Sequence, residues 1–269
     1  MSNALIQVER DGDVAVVTFN DPDRLNAMTE PMGRAFAEQS RRLADDPTLR
    51  AVVLTGAGRA FSAGGDLDWI EARANAAQTD PGTARTAVRD SMRGFYELFL
   101  SVRELPCPSI AALNGHAIGA GLCVALACDM RLASREAKLG LNFSLLGLHP
   151  GMGATWTLPR LVGPAHAAEL LYSGRSLDGE EAARIGLVNR AIEPDAVLPE
   201  ARDLAASIAR AAPIANRGIK RALAQSAGAT LPEQLDFEAS EQAVCFESND
   251  AREGLAAVRE RRSPRFSGC

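Results

Sequence analysis

Two glycine-rich turns, Phe61-Ser62-Ala63-Gly64-Gly65-Asp66-Leu67 and Gly119-Ala120-Gly121, are where this chain could do chemistry with its backbone. Each follows an apolar, strand-like run, Ala51–Thr55 and Ser109–Leu113, and each opens into a helix-like segment. Brought together, two such turns aim two N–H groups at one oxygen. That arrangement stabilises an enolate or a tetrahedral oxyanion without any side chain. The second donor would also lie at a helix N-terminus, where the macrodipole favours negative charge. Taken singly, either turn is equally an ordinary tight turn or a close helix contact.

The elements around the turns follow from pattern. Leu5–Glu9 and Val14–Phe19 alternate like two strands joined at Asp11-Gly12. Thr29 reads as an N-cap, with Pro31 behind it and an amphipathic helix to about Ala44. After the first turn comes a short helix, then a mobile loop at Ala76–Thr83, then a long helix from about Ala84 to Arg103 that stops at Pro106 and Pro108. An Ala-rich buried helix, Leu122–Cys128, follows the second turn. Strands are expected at Met130–Ala133, Lys138–Leu141 and Leu187–Arg190, with a small helix at Asp178–Ile185. From about Asp195 the pattern is helical only. The expectation is an α/β core over residues 1–194 and a helical packing module over 195–269.

Composition narrows the class. The chain has 269 residues, 46% of them hydrophobic, enough to bury a core. A formal net charge of −5 argues against a nucleic-acid partner. No apolar run is long enough to span a bilayer, and Met1-Ser2-Asn3-Ala4-Leu5 lacks the plan of a signal peptide. Five cysteines without a Cys-x-x-Cys pair suggest neither a disulfide framework nor a zinc site. A cytoplasmic protein without a metal is expected.

Three further segments join the turns in order: Arg24-Leu25-Asn26-Ala27-Met28; Asn114-Gly115-His116-Ala117-Ile118 leading to Ala127-Cys128-Asp129; and Leu148-His149-Pro150-Gly151 with Leu158-Pro159-Arg160-Leu161-Val162-Gly163. With Arg261-Arg262-Ser263-Pro264-Arg265-Phe266 near the end, the chain resembles the enoyl-CoA hydratase/isomerase (crotonase) superfamily along nearly its whole length. The resemblance implies a spiral of ββα units and a C-terminal helical module that builds trimers or dimers of trimers. It also implies an acyl-CoA thioester substrate, with coenzyme A part of that substrate and no other cofactor. By the same resemblance the Ala63 and Ala120 amides polarise the thioester carbonyl. Arg24, Leu25, Ala27, Gly64, Gly65, Asp66, Leu67, Ile118, Gly119, Phe143, Pro150 and Gly151 would line the coenzyme A and acyl channel. Asp66 is also a natural N-cap for the helix after it.

The departures concern the acid–base machinery. The family's hydratases use two Glu side chains, and this chain has Cys123 and Phe143 at the matching positions. Position 123 is three residues beyond Ala120 and so shares its helix face. Phe143 cannot move a proton. His149 is the leading replacement, since histidine titrates near physiological pH; a histidine satisfied by backbone partners is the alternative. Cys123 is either a thiolate near a helix N-terminus or a small packing residue. Asp68 and Glu71 are either site groups or exposed charges. His116, His166 and Cys128 are expected to be structural, and Trp69 and Trp156 either pocket walls or core.

Three other functions were weighed. A non-catalytic acyl-CoA-binding homologue fits the missing carboxylates. A dinucleotide fingerprint at Gly56-Ala57-Gly58 fails at Phe61, and at Gly119-Ala120-Gly121 it fails at Val124. A serine hydrolase based on Ser62 lacks a nucleophile elbow.

Overall fold

The protein structure, a computed structural model, describes residues 4–79 and 81–269. In chain order the elements are β1 (Ile6–Asp11), β2 (Val14–Phe19), α1 (Glu30–Ala44), β3 (Ala51–Gly56), β4 (Ala60–Ser62), α2 (Leu67–Thr79), α3 (Pro81–Leu100), β5 (Ser109–Leu113), β6 (His116–Ile118) and α4 (Ala120–Ala127). Then come β7 (Met130–Ser134), β8 (Leu139–Gly140), α5 (Ala154–Ser173), β9 (Ser176–Leu177), α6 (Gly179–Arg184), β10 (Arg190–Ile192), α7 (Val197–Ala209), α8 (Pro213–Ser226), α9 (Leu231–Glu247) and α10 (Asn249–Glu260).

These strands form two sheets, a large one in the order β1-β2-β3-β5-β7-β10 and a small one in the order β4-β6-β8-β9. The pairs β3/β4, β5/β6 and β7/β8 each give their first strand to the large sheet and their second to the small one. This is the spiral of ββα units, and it has a direct consequence for the two turns. In the small sheet β4 lies parallel to β6, with Ala60 opposite His116 and Ser62 opposite Ala117. The turn after β4 and the turn after β6 therefore leave adjacent strands on the same edge.

The large sheet is covered on both faces. On one side Phe19, Phe36, Phe61 and Phe99 pack under α1 and α3, with Phe19 edge-on to Phe61 at 5.7 Å between ring centres. On the other, Val197, Ala201, Ala205 and Ala209 recur every fourth residue of α7 and bury against Val16, Val53, Ile110 and Leu132. Helix α7, the first helix of the segment 195–269, therefore packs directly on the large sheet.

Some expectations shift. The loop expected at 76–83 is helix, α2 running to Thr79 and α3 starting at Pro81, with position 80 outside the described residues. The strand expected at Leu187–Arg190 is displaced to Arg190–Ile192, and that at Lys138–Leu141 shrinks to Leu139–Gly140. Strands β4, β6 and β9 have three residues or fewer, too short for a period-2 pattern to register. Helix α5 escaped notice because Pro159 and Pro164 read as breakers; a real break does occur at Gly163 (φ 75°, ψ 165°), which kinks it.

Candidate active site

The first turn touches the second directly. Gly64 has φ of +94°, and a Cβ there would stand 2.5 Å from the Ile118 carbonyl oxygen and 3.5 Å from the Ala120 nitrogen. Only glycine permits both this backbone conformation and this approach. A Cβ on Gly121 would likewise stand 2.7 Å from the Ser62 carbonyl oxygen, so the start of α4 is seated on the first turn.

Hydrogen bonds then decide which amides remain available. Ala63 N–H donates to the Leu25 carbonyl at 2.9 Å, Gly64 N–H to Ser62 Oγ at 3.1 Å, and Asp66 N–H to the Met28 carbonyl at 3.2 Å. Between Ala63 and Asp66, Gly65 N–H alone has no acceptor among the described residues. The assignment of Ala63 as the first oxyanion donor is therefore corrected, because its hydrogen already has a partner. Gly65 is the free donor, two residues on. Across the contact, Ala120 opens α4, and its N–H has no intrahelical acceptor. It also has no partner elsewhere among the described residues.

The segment Arg24–Met28 holds the first turn in this state. Leu25 and Asn26 both have positive φ, 52° and 55°. Asn26 is fully buried, donates to the Ala57 and Ala60 carbonyls at 2.9 and 2.8 Å, and accepts from Asp21 N–H at 2.9 Å. A side chain with three partners across two segments can hold a strained pair of residues. Ser62 is buried too, its hydroxyl donating to the Asn26 carbonyl at 2.8 Å. That bond makes it a scaffold residue, which removes the hydrolase alternative.

Gly65 and Ala120 both line a cavity of about 770 Å³, with Ala63, Phe143 and His149 among its other walls. His149 Nδ1 lies 2.7 Å from the Pro150 carbonyl oxygen. A carbonyl can only accept, so the neutral ring carries its proton on Nδ1 and leaves the Nε2 lone pair free. One ring nitrogen is thus satisfied by backbone, as the second of the two expectations had it.

Cys123 is not a thiolate. It is 1% exposed, does not line the cavity, and donates weakly to the Gly151 carbonyl at 3.7 Å. Burial pushes its thiol up to about 12, so it stays protonated at any working pH. Cys123→Ala is expected to leave turnover unchanged and to lower stability by about 1 kcal/mol. A steady-state assay beside a thermal melt checks both.

Of the remaining expected channel residues, Arg24, Ala27, Gly64, Asp66, Leu67, Ile118, Gly119 and Gly151 line the cavity. Leu25 and Pro150 do not; their carbonyls instead hold Ala63 N–H and His149 Nδ1. Asp66 caps α2 through Trp69 N–H at 2.9 Å and pairs with the Arg24 guanidinium. Asp68 lines the cavity and Glu71 does not. Trp69 is a wall, but Trp156 lies elsewhere, 45% exposed beneath the Arg160 guanidinium at 4.0 Å. His116 Nδ1 accepts from Lys138 N–H at 2.9 Å and is structural. His166, expected in the packing, has a partly exposed side chain 4.0 Å from Glu169. The far wall, Val88, Met92, Phe95 and Tyr96 of α3, lies outside the motifs that pointed to the site. Their spacing, i, i+4, i+7 and i+8, is a helical stripe that could have revealed it.

Residues 9–268 match the enoyl-CoA hydratase/isomerase family. The 1,2-epoxyphenylacetyl-CoA isomerase of Escherichia coli K12 is 37% identical over 256 residues, 95% of this chain and 95% of that protein. The crotonyl-CoA hydratase of Syntrophomonas wolfei is 32% identical over 262 residues, 97% of each chain. The crystal structure of an enoyl-CoA hydratase from Bacillus anthracis superposes with a TM-score of 0.90 at 32% identity, covering 98% of this chain and 100% of that one.

Proposed function

Because the chain belongs to the enoyl-CoA hydratase/isomerase (crotonase) family, we propose that it shifts a double bond within an acyl-CoA thioester, with Gly65 and Ala120 holding the thioester oxygen and His149 moving the proton. It is a hydratase/isomerase-like enzyme of acyl-CoA thioesters; the choice of reaction within that class is our inference. The observation that carries it is that Gly65 and Ala120, whose amides have no backbone acceptor, line one cavity together with His149.

Two N–H donors aimed at the carbonyl oxygen stabilise the enolate that forms when the α-proton leaves. Water addition asks for more. It needs a group to activate water and a proton for the α-carbon, and at 123 and 143 this chain offers a protonated, buried thiol and a phenyl ring. A double-bond shift needs a proton only to be taken from one carbon of the dienolate and supplied at another. The coenzyme A moiety would enter past Arg24, Ala27 and Leu67, its acyl chain running between α2 and α3 along Trp69, Met92 and Phe95. No cofactor besides the coenzyme A of the substrate enters this scheme.

The test compares two substrates. With 3-hexenoyl-CoA the protein is expected to form the conjugated 2-enoyl product at least ~10²-fold faster than it hydrates crotonyl-CoA. Hydration as fast as isomerisation would overturn the assignment. Tight binding of both esters with no product from either would instead establish the non-catalytic, acyl-CoA-binding alternative, which the lost carboxylates favour.

We further propose a cytoplasmic homotrimer or dimer of trimers. Exposed apolar side chains recur on the terminal helices, with Leu223 on α8, Leu235 and Phe246 on α9, and Val258 on α10. Partner subunits would cover them.

A further inference from the structure

We propose that Tyr96 is a second catalytic residue, the acid that supplies the γ-carbon of the dienolate with its proton while His149 serves the α-carbon. This rests on the acyl-CoA isomerase reading above and names the group that completes it. Tyr96 reaches the cavity from α3, as the last member of the stripe Val88, Met92, Phe95 and Tyr96 that would run along the acyl chain. Its hydroxyl has no hydrogen-bond partner among the described residues. The hydroxyl is not sealed in the core, so it is open to donate to a group bound in the cavity.

Its position is specific. A Cβ built on Gly151 would overlap the Tyr96 hydroxyl and stand 2.7 Å from Cζ, so the absence of a side chain at 151 is what admits the phenol. Cys123 Sγ meets the same residue, 3.7 Å from the Gly151 carbonyl oxygen. Tyr96, Cys123 and Gly151 thus converge beside the helix face that starts at Ala120, two residues from His149. The hydroxyl occupies the neighbourhood where position 123 has no carboxylate to offer. Burial, with the Cys123 thiol as a lesser contributor, raises the phenol above its ordinary pKa and keeps it a donor.

The step balances with these two groups. From a β,γ-enoyl-CoA, His149 Nε2 takes the α-proton. The C–H electron pair becomes the bond between carbonyl carbon and α-carbon, and the carbonyl π pair moves to the oxygen held by Gly65 and Ala120. The oxygen then re-forms the carbonyl, the displaced pair makes the α,β double bond, and the former β,γ pair takes the Tyr96 proton at the γ-carbon. The O–H pair stays on Tyr96 as phenolate, which recovers a proton from the His149 imidazolium, restoring both.

Two readouts separate this role from a structural one. Proton exchange at the α-carbon of octanoyl-CoA in deuterium oxide needs the amides and His149 only, whereas isomerisation of 3-hexenoyl-CoA also needs the acid. Tyr96→Phe, which keeps the ring, is expected to lower kcat for isomerisation ~10²-fold, with KM within about twofold and α-exchange at the wild-type rate. Unchanged isomerisation, or an equal loss of exchange and isomerisation, overturns the proposal. Wild-type protein that binds octanoyl-CoA without exchanging it overturns the isomerase reading itself, a failure seen before any variant is made.

Discussion

Replacing Ala120 with proline is expected to cut kcat for isomerisation by ~10²–10³-fold, equivalent to about 2.7–4 kcal/mol of transition-state stabilisation. The substitution replaces one N–H with the ring Cδ, so KM is read beside kcat to separate a lost donor from a blocked site. Ala120 is the first residue of α4, where proline's fixed φ suits the helix and the missing hydrogen breaks no helical bond. Ala120→Gly is the control: it keeps the N–H and is expected to keep most of the activity. Thermal melts distinguish a lost donor from a lost fold, since the start of α4 rests on Ser62 through Gly121. If the proline variant folds and turns over at the wild-type rate, the oxygen is not held at Ala120.

Why a single amide should matter so much follows from its surroundings. Helix α4 is buried almost throughout and carries no charged residue of its own, so its N-terminal dipole adds to the Ala120 donor. Donors fixed by a parallel strand pair and a close glycine contact need not reorganise as charge develops. The sequence already showed this much, because motif order and the strand–turn–helix rhythm were legible without coordinates. It could not show which nitrogens were free. Ala63 and Gly65 are neighbours of one type in one turn, and what separates them is a carbonyl on Leu25, nearly forty positions earlier. That carbonyl points at Ala63 because Leu25 and Asn26 adopt positive φ and Asn26 is anchored at Ala57 and Ala60. Contacts of that range leave no local periodicity. Tyr96 was invisible for the same reason: its meaning depends on Gly151 having no side chain.

His149→Ala is expected to lower kcat by ~10²–10⁴-fold, with KM for 3-hexenoyl-CoA within a few-fold and α-exchange of octanoyl-CoA lost in parallel. The side chain is exposed, and its one hydrogen bond among the described residues runs to the neighbouring Pro150 carbonyl. Its removal should therefore leave the melt nearly unchanged, which makes a kinetic loss interpretable. Added imidazole is expected to restore part of the exchange, because the cavity left by the ring opens where the base is needed. Undiminished turnover, or a loss that imidazole cannot repair while stability falls, would reduce His149 to scaffolding. The double variant with Ala120→Pro carries the sharper information. If base and oxyanion donor act on one transition state, removing both should cost much less than the product of the single losses, since neither helps fully without the other. Multiplicative losses would instead mean that His149 and Ala120 contribute independently, with no coupling between base and oxyanion donor.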